Sequence, residues 1–77
     1  MTNLQVLIVA PDRVIYQGRS SHAVLPGEKG VFEVLPCHKE LFSRLYPGVI
    51  VLDEEKIPIR RGVVKIASDK ITAIVEA

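Results

Sequence analysis

Residues 63–76 read VVKIASDKITAIVE, and this stretch decides the fold class. Two apolar runs, 63–67 and 71–76, flank the polar triplet Ser68, Asp69 and Lys70. Valine and isoleucine are branched at Cβ, so they lose rotamer freedom in a helix and pack well on a pleated sheet. Two such runs joined by a short polar turn are typical of a hairpin. The stretch therefore predicts two antiparallel strands.

The rest of the chain repeats this pattern. Valine and isoleucine make up nineteen of the 77 residues, and turn residues interrupt the apolar runs every few positions. Pro58 lies in the second strand of a second predicted hairpin, which places that strand at a sheet edge because proline lacks an N–H. The pattern predicts an all-β fold, a two-layer β-sandwich of short, mostly antiparallel strands. Besides the first hairpin, the predicted strands are 4–10, 13–17, 20–25, 31–35, 49–52 and 56–60, with 41–46 either a strand or one helical turn.

Size and charge limit what the protein can do. A chain of 77 residues and 8.5 kDa predicts a single domain, 1–77, which is marginal alone and gains from a partner. Ten basic and nine acidic residues leave a net charge of +1, scattered along the sequence. We expect neither a nucleic acid nor direct lipid insertion, since no long-range field favours either. No signal peptide is predicted, and the longest apolar run, 6–11, is too short to span a bilayer. A soluble, cytoplasmic protein is expected.

Few residues suggest chemistry. Cys37 is the only cysteine, and its neighbour His38 would point to the opposite face of a strand. The other histidine, His22, has no evident carboxylate to orient it, so a thiol hydrolase is not favoured. No spacing indicates a metal or cofactor, and residues 27–30, GEKG, indicate a turn rather than a phosphate loop. One alternative function stays open: a small lipoyl- or biotinyl-type carrier domain, modified on Lys70.

Five motifs follow one another in a fixed order: LQVLIVAP at 4–11, VIYQG at 14–18, PGEKGVF at 26–32, LPCHKEL at 35–41 and LYPGVI at 45–50. Together they resemble the N-terminal β-sandwich domain of the ε subunit of F-type ATP synthases. The resemblance spans essentially the whole chain. It implies a non-catalytic subunit of the central stalk, which joins the γ subunit to the membrane c-ring and so passes rotation between them. It also implies a peripheral position on the cytoplasmic face of the bacterial inner membrane.

The resemblance also implies two contact surfaces. Carried over by position, Gly30, Val31, Phe32 and His38 face the c-ring. The residues that face γ are Ala10, Leu41, Phe42 and Ser43.

Three positions depart from the family pattern, and so does the length. Val31 replaces an acidic residue, which changes the expected ring contact. Cys37 replaces a glycine, which puts the special backbone conformation there in doubt. Arg60 and Arg61 precede Gly62 where a glycine pair is usual. Members of the family usually continue into a helical hairpin that inhibits ATP hydrolysis, whereas this sequence stops at Ala77. We therefore expect a subunit without that helical domain and without its inhibition.

Overall fold

The computed structural model describes residues 3–77, and these contain nine strands and no helix. No segment of that range could therefore cross a membrane as an apolar helix. The strand predictions are confirmed to within a few residues at each end. The strands are β1 (Leu4–Ala10), β2 (Arg13–Ser20), β3 (Ala23–Gly27), β4 (Gly30–Val34), β5 (Leu41–Leu45), β6 (Gly48–Val51), β7 (Lys56–Ile59), β8 (Arg61–Ala67) and β9 (Lys70–Glu76).

All nine strands belong to one curled sheet with the order β2-β1-β9-β8-β5-β3-β6-β7, and β4 pairs with β3. Both predicted hairpins are present, as β6–β7 and β8–β9, and β7 with Pro58 forms an edge. One pairing departs from the antiparallel rule: β1 and β9 run parallel, with Val6 opposite Ile71. The sheet curls so that side chains from both of its halves form one buried cluster. The predicted β-sandwich is confirmed.

Strict alternation explains the core. Along β1, Leu4, Val6 and Ile8 are at most 2% exposed, and Ile71 and Val75 on β9 are equally buried. Branched apolar side chains at every second position place one face of each strand on the core. Each fully buried residue of this kind stabilises the fold by about 1.5–3 kcal/mol relative to leaving it in water.

Two details correct the sequence prediction. The break between the second and third strands lies at residues 21–22, not at 18–19, so the predicted strand 20–25 is divided between β2 and β3. A polar cluster around Ser20, described below, fixes this corner. The segment 41–46 is a strand and not a helical turn, because β5 pairs with β8 along its whole length, from Leu41 opposite Ile66 to Leu45 opposite Gly62.

Candidate partner-binding surfaces

The hairpin between β3 and β4 is shaped by two glycines with different tasks. Gly27 lies under the Phe32 ring: a Cβ at this position would lie 2.6 Å from Phe32 Cε1. Gly30 has φ +118°, a backbone conformation that side chains disfavour, but no other group lies within 4 Å of where its Cβ would be. The first glycine admits an aromatic ring, and the second closes the turn.

A similar close contact holds the next strands. A Cβ on Gly48 would lie 2.8 Å from Pro26 Cβ. The carbonyl oxygen of Pro26 accepts a hydrogen bond of 2.9 Å from the Tyr46 amide. Pro26 therefore packs on Gly48 and bonds the chain just before it, which joins β3 to the β5–β6 connection. The two Pro-Gly pairs of the sequence are thus partners in one contact.

The tip of the β3–β4 hairpin borders a surface groove of about 390 Å³, whose other wall is the start of β5. Val31 and Phe42 are the most exposed large apolar residues around it, at 73% and 72%. Phe32 and Leu41 are half-buried and pack against the core. Apolar side chains left in water beside a groove are typical of a protein-contact site. The groove is lined by residues 28–32 and 41–43.

The segment that follows β4 is tied to the turn between β8 and β9. Cys37 has φ +70°, and its amide donates a 2.7 Å hydrogen bond to Asp69 Oδ1. Cys37 therefore has the left-handed backbone conformation that the sequence analysis put in doubt for a residue other than glycine. His38 is half-buried, and its Nδ1 lies 2.7 Å from the Lys39 carbonyl oxygen. The imidazole is thus engaged with the backbone next to it.

A cluster of hydrogen-bonded polar side chains lies at the corner between β2 and β3. Asp53 Oδ1 lies 2.6 Å from Ser21 Oγ and 3.0 Å from His22 Nδ1, and Asp53 Oδ2 accepts the Ser21 amide at 2.9 Å. The hydrogen bonds from Ser21 lower the pKa of Asp53 from 3.8 to about 2. The buried Ser20 hydroxyl accepts the Asp53 amide at 3.1 Å and donates to the His22 carbonyl oxygen.

This corner corrects the sequence analysis, because Asp53 is the carboxylate that His22 was expected to lack. Ser21 and Asp53 both lie closest to the same imidazole nitrogen, Nδ1, at 3.4 and 3.0 Å. A catalytic relay needs the acid on one ring nitrogen and the nucleophile on the other. The cluster does not have this geometry. Its hydrogen bonds instead join the β2–β3 corner to the β6–β7 hairpin, where Asp53 lies. Within residues 3–77, no group of three or more acidic, histidine or cysteine side chains has the arrangement of a metal site.

The outer face of the sheet, turned away from the core, carries a row of apolar residues across four strands. Val63 on β8 pairs with Ile74 on β9, Ile74 with Val9 on β1, and Val9 with Val14 on β2. Ile74 is 53% exposed and Val14 57%, while Val9 and Val63 are half-buried. No strand of residues 3–77 covers this face of β1.

The site residues implied by the resemblance fall into different groups. Phe42 and Ser43, expected to face γ, share the tip groove with Val31 and Phe32, expected to face the ring. Ala10 lies far from that groove: Val6 is level with Leu41 across the sheet, and Ala10 is four residues further along β1, about 13 Å. Ala10 is also buried, at 9% exposure. His38 lies at the Asp69 turn, at the same end of the sheet as Leu41.

Lys70 does not occupy the tip of its hairpin. Ser68 and Asp69 form the tip, both with positive φ, and Lys70 pairs with Ala67 on one side and with Gln5 on the other. A carrier lysine is presented at the end of a turn, whereas this one lies within the sheet. The outer-face row and the Ser20–Asp53 cluster had escaped the sequence analysis, because both depend on which strands become neighbours.

The molecule is thus a small all-β domain with exposed apolar surfaces and no arrangement of catalytic groups among the residues described. Residues 3–77 match the family model for the β-sandwich domain of the ATP synthase delta/epsilon chain, and the chain belongs to that family.

Similar proteins agree with this assignment. The ATP synthase epsilon chain of Nitratiruptor sp. is 41% identical over 81 residues, covering 99% of this chain and 63% of the relative. That of Sulfurimonas denitrificans is 37% identical, covering 99% and 62%. The chain thus spans about three-fifths of the length of these curated relatives. A chain in the mitochondrial ATP synthase of Euglena gracilis, solved with OSCP, F1 and c-ring, has the same fold, with TM-score 0.90 at 15% identity, covering all of this chain and 52% of that one.

Proposed function

We propose that this domain is a non-catalytic part of the central stalk of a proton-translocating F-type ATP synthase. It holds the γ subunit against the c-ring, so that the two rotate together and the rotation of one drives the other. The observation that carries the proposal is the family match along residues 3–77, shared with relatives named ATP synthase epsilon chain. In this role the domain lies at the cytoplasmic face of the membrane, as a peripheral part of the complex.

The shape of the domain suits this mechanical role. All nine strands share one sheet around one cluster of buried side chains, and such a closely packed core transmits force with little deformation. Among the exposed apolar residues, Val31 and Phe42 border the tip groove, and Val14 and Ile74 belong to the row on the outer face. A subunit that joins two partners needs two such adhesive surfaces on a stiff body.

The ring contact is proposed at the tip groove and the adjoining residues 36–38. Val31 is 73% exposed there, where the family usually has an acidic residue, so this contact is more apolar than is usual. An apolar contact of this kind loses little strength at high salt, in contrast to an ion pair between exposed charges.

The experiment is co-purification. Tagged chain is expressed with the γ subunit and c subunit of its own organism, and the complex is isolated in mild detergent. Both partners are expected to copurify. A chain that is folded but recovers neither partner, under conditions where the other stalk subunits assemble, would contradict the proposal.

A further inference from the structure

Strands β1, β2 and β9 form a polar groove on the surface of the sheet, here termed the basic groove. Its volume is about 390 Å³, which is within the range of small-ligand sites. Each strand contributes two outward-facing side chains to it: Gln5 and Leu7, Gln17 and Arg19, and Lys70 and Thr72. Five of these six side chains carry N–H or O–H donors, and no acidic residue lines the groove.

The register of the strands places the two basic residues on opposite sides of one glutamine. Gln5 pairs with Arg19 on β2 and with Lys70 on β9, so the three side chains lie on the same face. Because neighbouring strands are about 4.8 Å apart, the Cα atoms of Arg19 and Lys70 are about 10 Å apart. Both side chains are long and flexible enough to reach an ion held between them.

The next outward-facing position along the strands supplies further donors. Leu7 pairs with Gln17 and with Thr72, about 7 Å from the first row. Leu7 is half-buried, so it forms an apolar floor between an amide and a hydroxyl group. Since β1 is hydrogen-bonded to a strand on each side, the sheet fixes the spacing of both rows.

The two basic side chains are available to a ligand. Within residues 3–77, neither Arg19 nor Lys70 takes part in an ion pair. Asp69, next to Lys70 in the sequence, accepts a backbone amide through Oδ1. Asp53, at the corner that follows β2, accepts two hydrogen bonds from Ser21. The two cations lie about one Debye length of 0.1 M salt apart, so at low salt they repel each other unless an anion lies between them.

This arrangement suits a phosphoryl group better than a carboxylate. The guanidinium of Arg19 presents a fork of N–H donors that matches phosphate oxygens, and the ammonium of Lys70 adds a compact charge. A phosphate monoester carries a charge of about −1.5 to −2 at pH 7 and three acceptor oxygens. It can therefore pair with a cation on each side and still accept a hydrogen bond from Gln5. A carboxylate has one charge and two oxygens, which a single arginine satisfies.

We infer that the basic groove binds the phosphoryl group of a phosphate monoester between Arg19 and Lys70, with hydrogen bonds from Gln5 and Thr72. The monoester is a soluble phosphate compound or the headgroup of a lipid such as phosphatidic acid, since both present the same group. Neither source requires insertion into the bilayer. The site goes beyond the proposed role in the stalk and does not rest on it.

The test titrates the 77-residue chain with inorganic phosphate at low salt, followed by the NMR shifts of backbone amides. Malonate, a dicarboxylate of similar charge, is the comparison ligand. Arg19→Gln with Lys70→Gln removes both charges of the groove. Lys39→Gln with Lys56→Gln removes two exposed charges outside it and serves as the matched control. Since all four side chains are exposed, both variants should fold, and circular dichroism with a thermal melt checks this.

We expect saturable shifts centred on residues 5–7, 17–19 and 70–72. The groove variant should bind phosphate at least about tenfold more weakly, because it loses both charge-assisted contacts. The control should bind as the original chain does, and malonate should bind several times more weakly than phosphate. Thr72→Val, which exchanges the hydroxyl for a methyl group of similar size, should weaken phosphate binding without changing the charge.

Sedimentation with vesicles separates the two sources of the phosphoryl group. The vesicles contain phosphatidylcholine alone or four parts of it to one part phosphatidic acid. If free phosphate saturates the groove and neither vesicle binds the chain, the ligand is a soluble compound. If phosphatidic acid vesicles bind the original chain and the control but not the groove variant, the site takes a lipid headgroup.

Three results would overturn the inference. The first is that neither phosphate nor phosphatidic acid vesicles bind the original chain. The second is that the control loses binding as much as the groove variant does, which would show a general attraction between charges. The third is that malonate binds as tightly as phosphate, because the groove would then not select a phosphoryl group. The proposed role in the stalk stands in each case, since its own test is copurification with γ and c.

Discussion

The contact between Gly27 and the Phe32 ring allows a quantitative prediction about the tip of the β3–β4 hairpin. In Gly27→Ala, the new Cβ would lie 2.6 and 2.7 Å from two atoms of the Phe32 ring. Carbon atoms pack best at about 3.5–4.0 Å, so the ring must move by about 1 Å. Overpacking of this kind costs about 1–3 kcal/mol. For a domain of this size, we expect a fall in melting temperature on the order of 10 °C.

Gly30→Ala is the matched control, because it should destabilise for a different reason. Its φ of +118° strains any side chain, at a cost of about 1–3 kcal/mol, yet nothing lies within 4 Å of the added methyl group. The two glycines can be separated by combining each change with Phe32→Ala. Gly27→Ala should cost less once the ring is gone, whereas the cost of Gly30→Ala should not change.

The assay is chemical denaturation of the single and double variants, read by circular dichroism. A coupling of about 0.5–3 kcal/mol is expected for the Gly27 and Phe32 pair, as for other residues in contact. If Gly27→Ala and Phe32→Ala add independently, the ring does not constrain this glycine and the account of the hairpin is wrong. Because Phe32 and Val31 adjoin in the tip groove, Gly27→Ala should also weaken the proposed ring contact.

Three further predictions concern other parts of the molecule. Asp53 has a folded pKa of about 2, below its ordinary 3.8, so its contribution to stability is complete above about pH 4 and is lost as the pH falls toward 2. The difference in unfolding free energy between the original chain and Asp53→Asn should therefore shrink as the pH falls over that range. A difference independent of pH would contradict the hydrogen bonds described between Ser21 and the Asp53 carboxylate. At Cys37, φ is +70°, a backbone conformation that glycine adopts freely and β-branched residues tolerate poorly. Cys37→Gly should therefore keep or raise the melting temperature, and Cys37→Val should lower it. Equal melting temperatures of the two variants would refute this prediction. The third prediction concerns steady-state ATP hydrolysis by F1 that lacks its own ε subunit. Adding the 77-residue chain should leave the rate unchanged, since the sandwich is proposed to transmit rotation only. Strong inhibition would show that the domain also regulates ATP hydrolysis.

The sequence was sufficient for the strands because alternation is a local signal. The core faces of β1 and β9 can be read directly from residues such as Val6, Ile8 and Ile71, since every second side chain is apolar. The end of β2 could not be read this way. Ser20 is buried because its hydroxyl bonds the Asp53 amide, thirty-three residues along the chain. A contact at that separation leaves no mark on the local pattern.

The binding surfaces were harder to predict than the strands. The parallel pairing of β1 with β9 brings Val9 beside Ile74, and neither residue alone indicates a row across the sheet. The same pairing gathers basic residues that are scattered along the sequence onto one face. Resemblance to the family supplied candidate residues one at a time, but it could not show that Val31 and Phe42 border one groove.

The most direct test of the central claim is coupling in a reconstituted enzyme. ATP synthase depleted of its ε subunit is placed in vesicles, the 77-residue chain is added, and ATP-driven proton pumping is followed by fluorescence quenching. If the domain joins γ to the c-ring, pumping should recover with added chain, and the chain should sediment with the vesicles. Pumping that stays at the depleted level while folded chain is bound to the complex would contradict the claim.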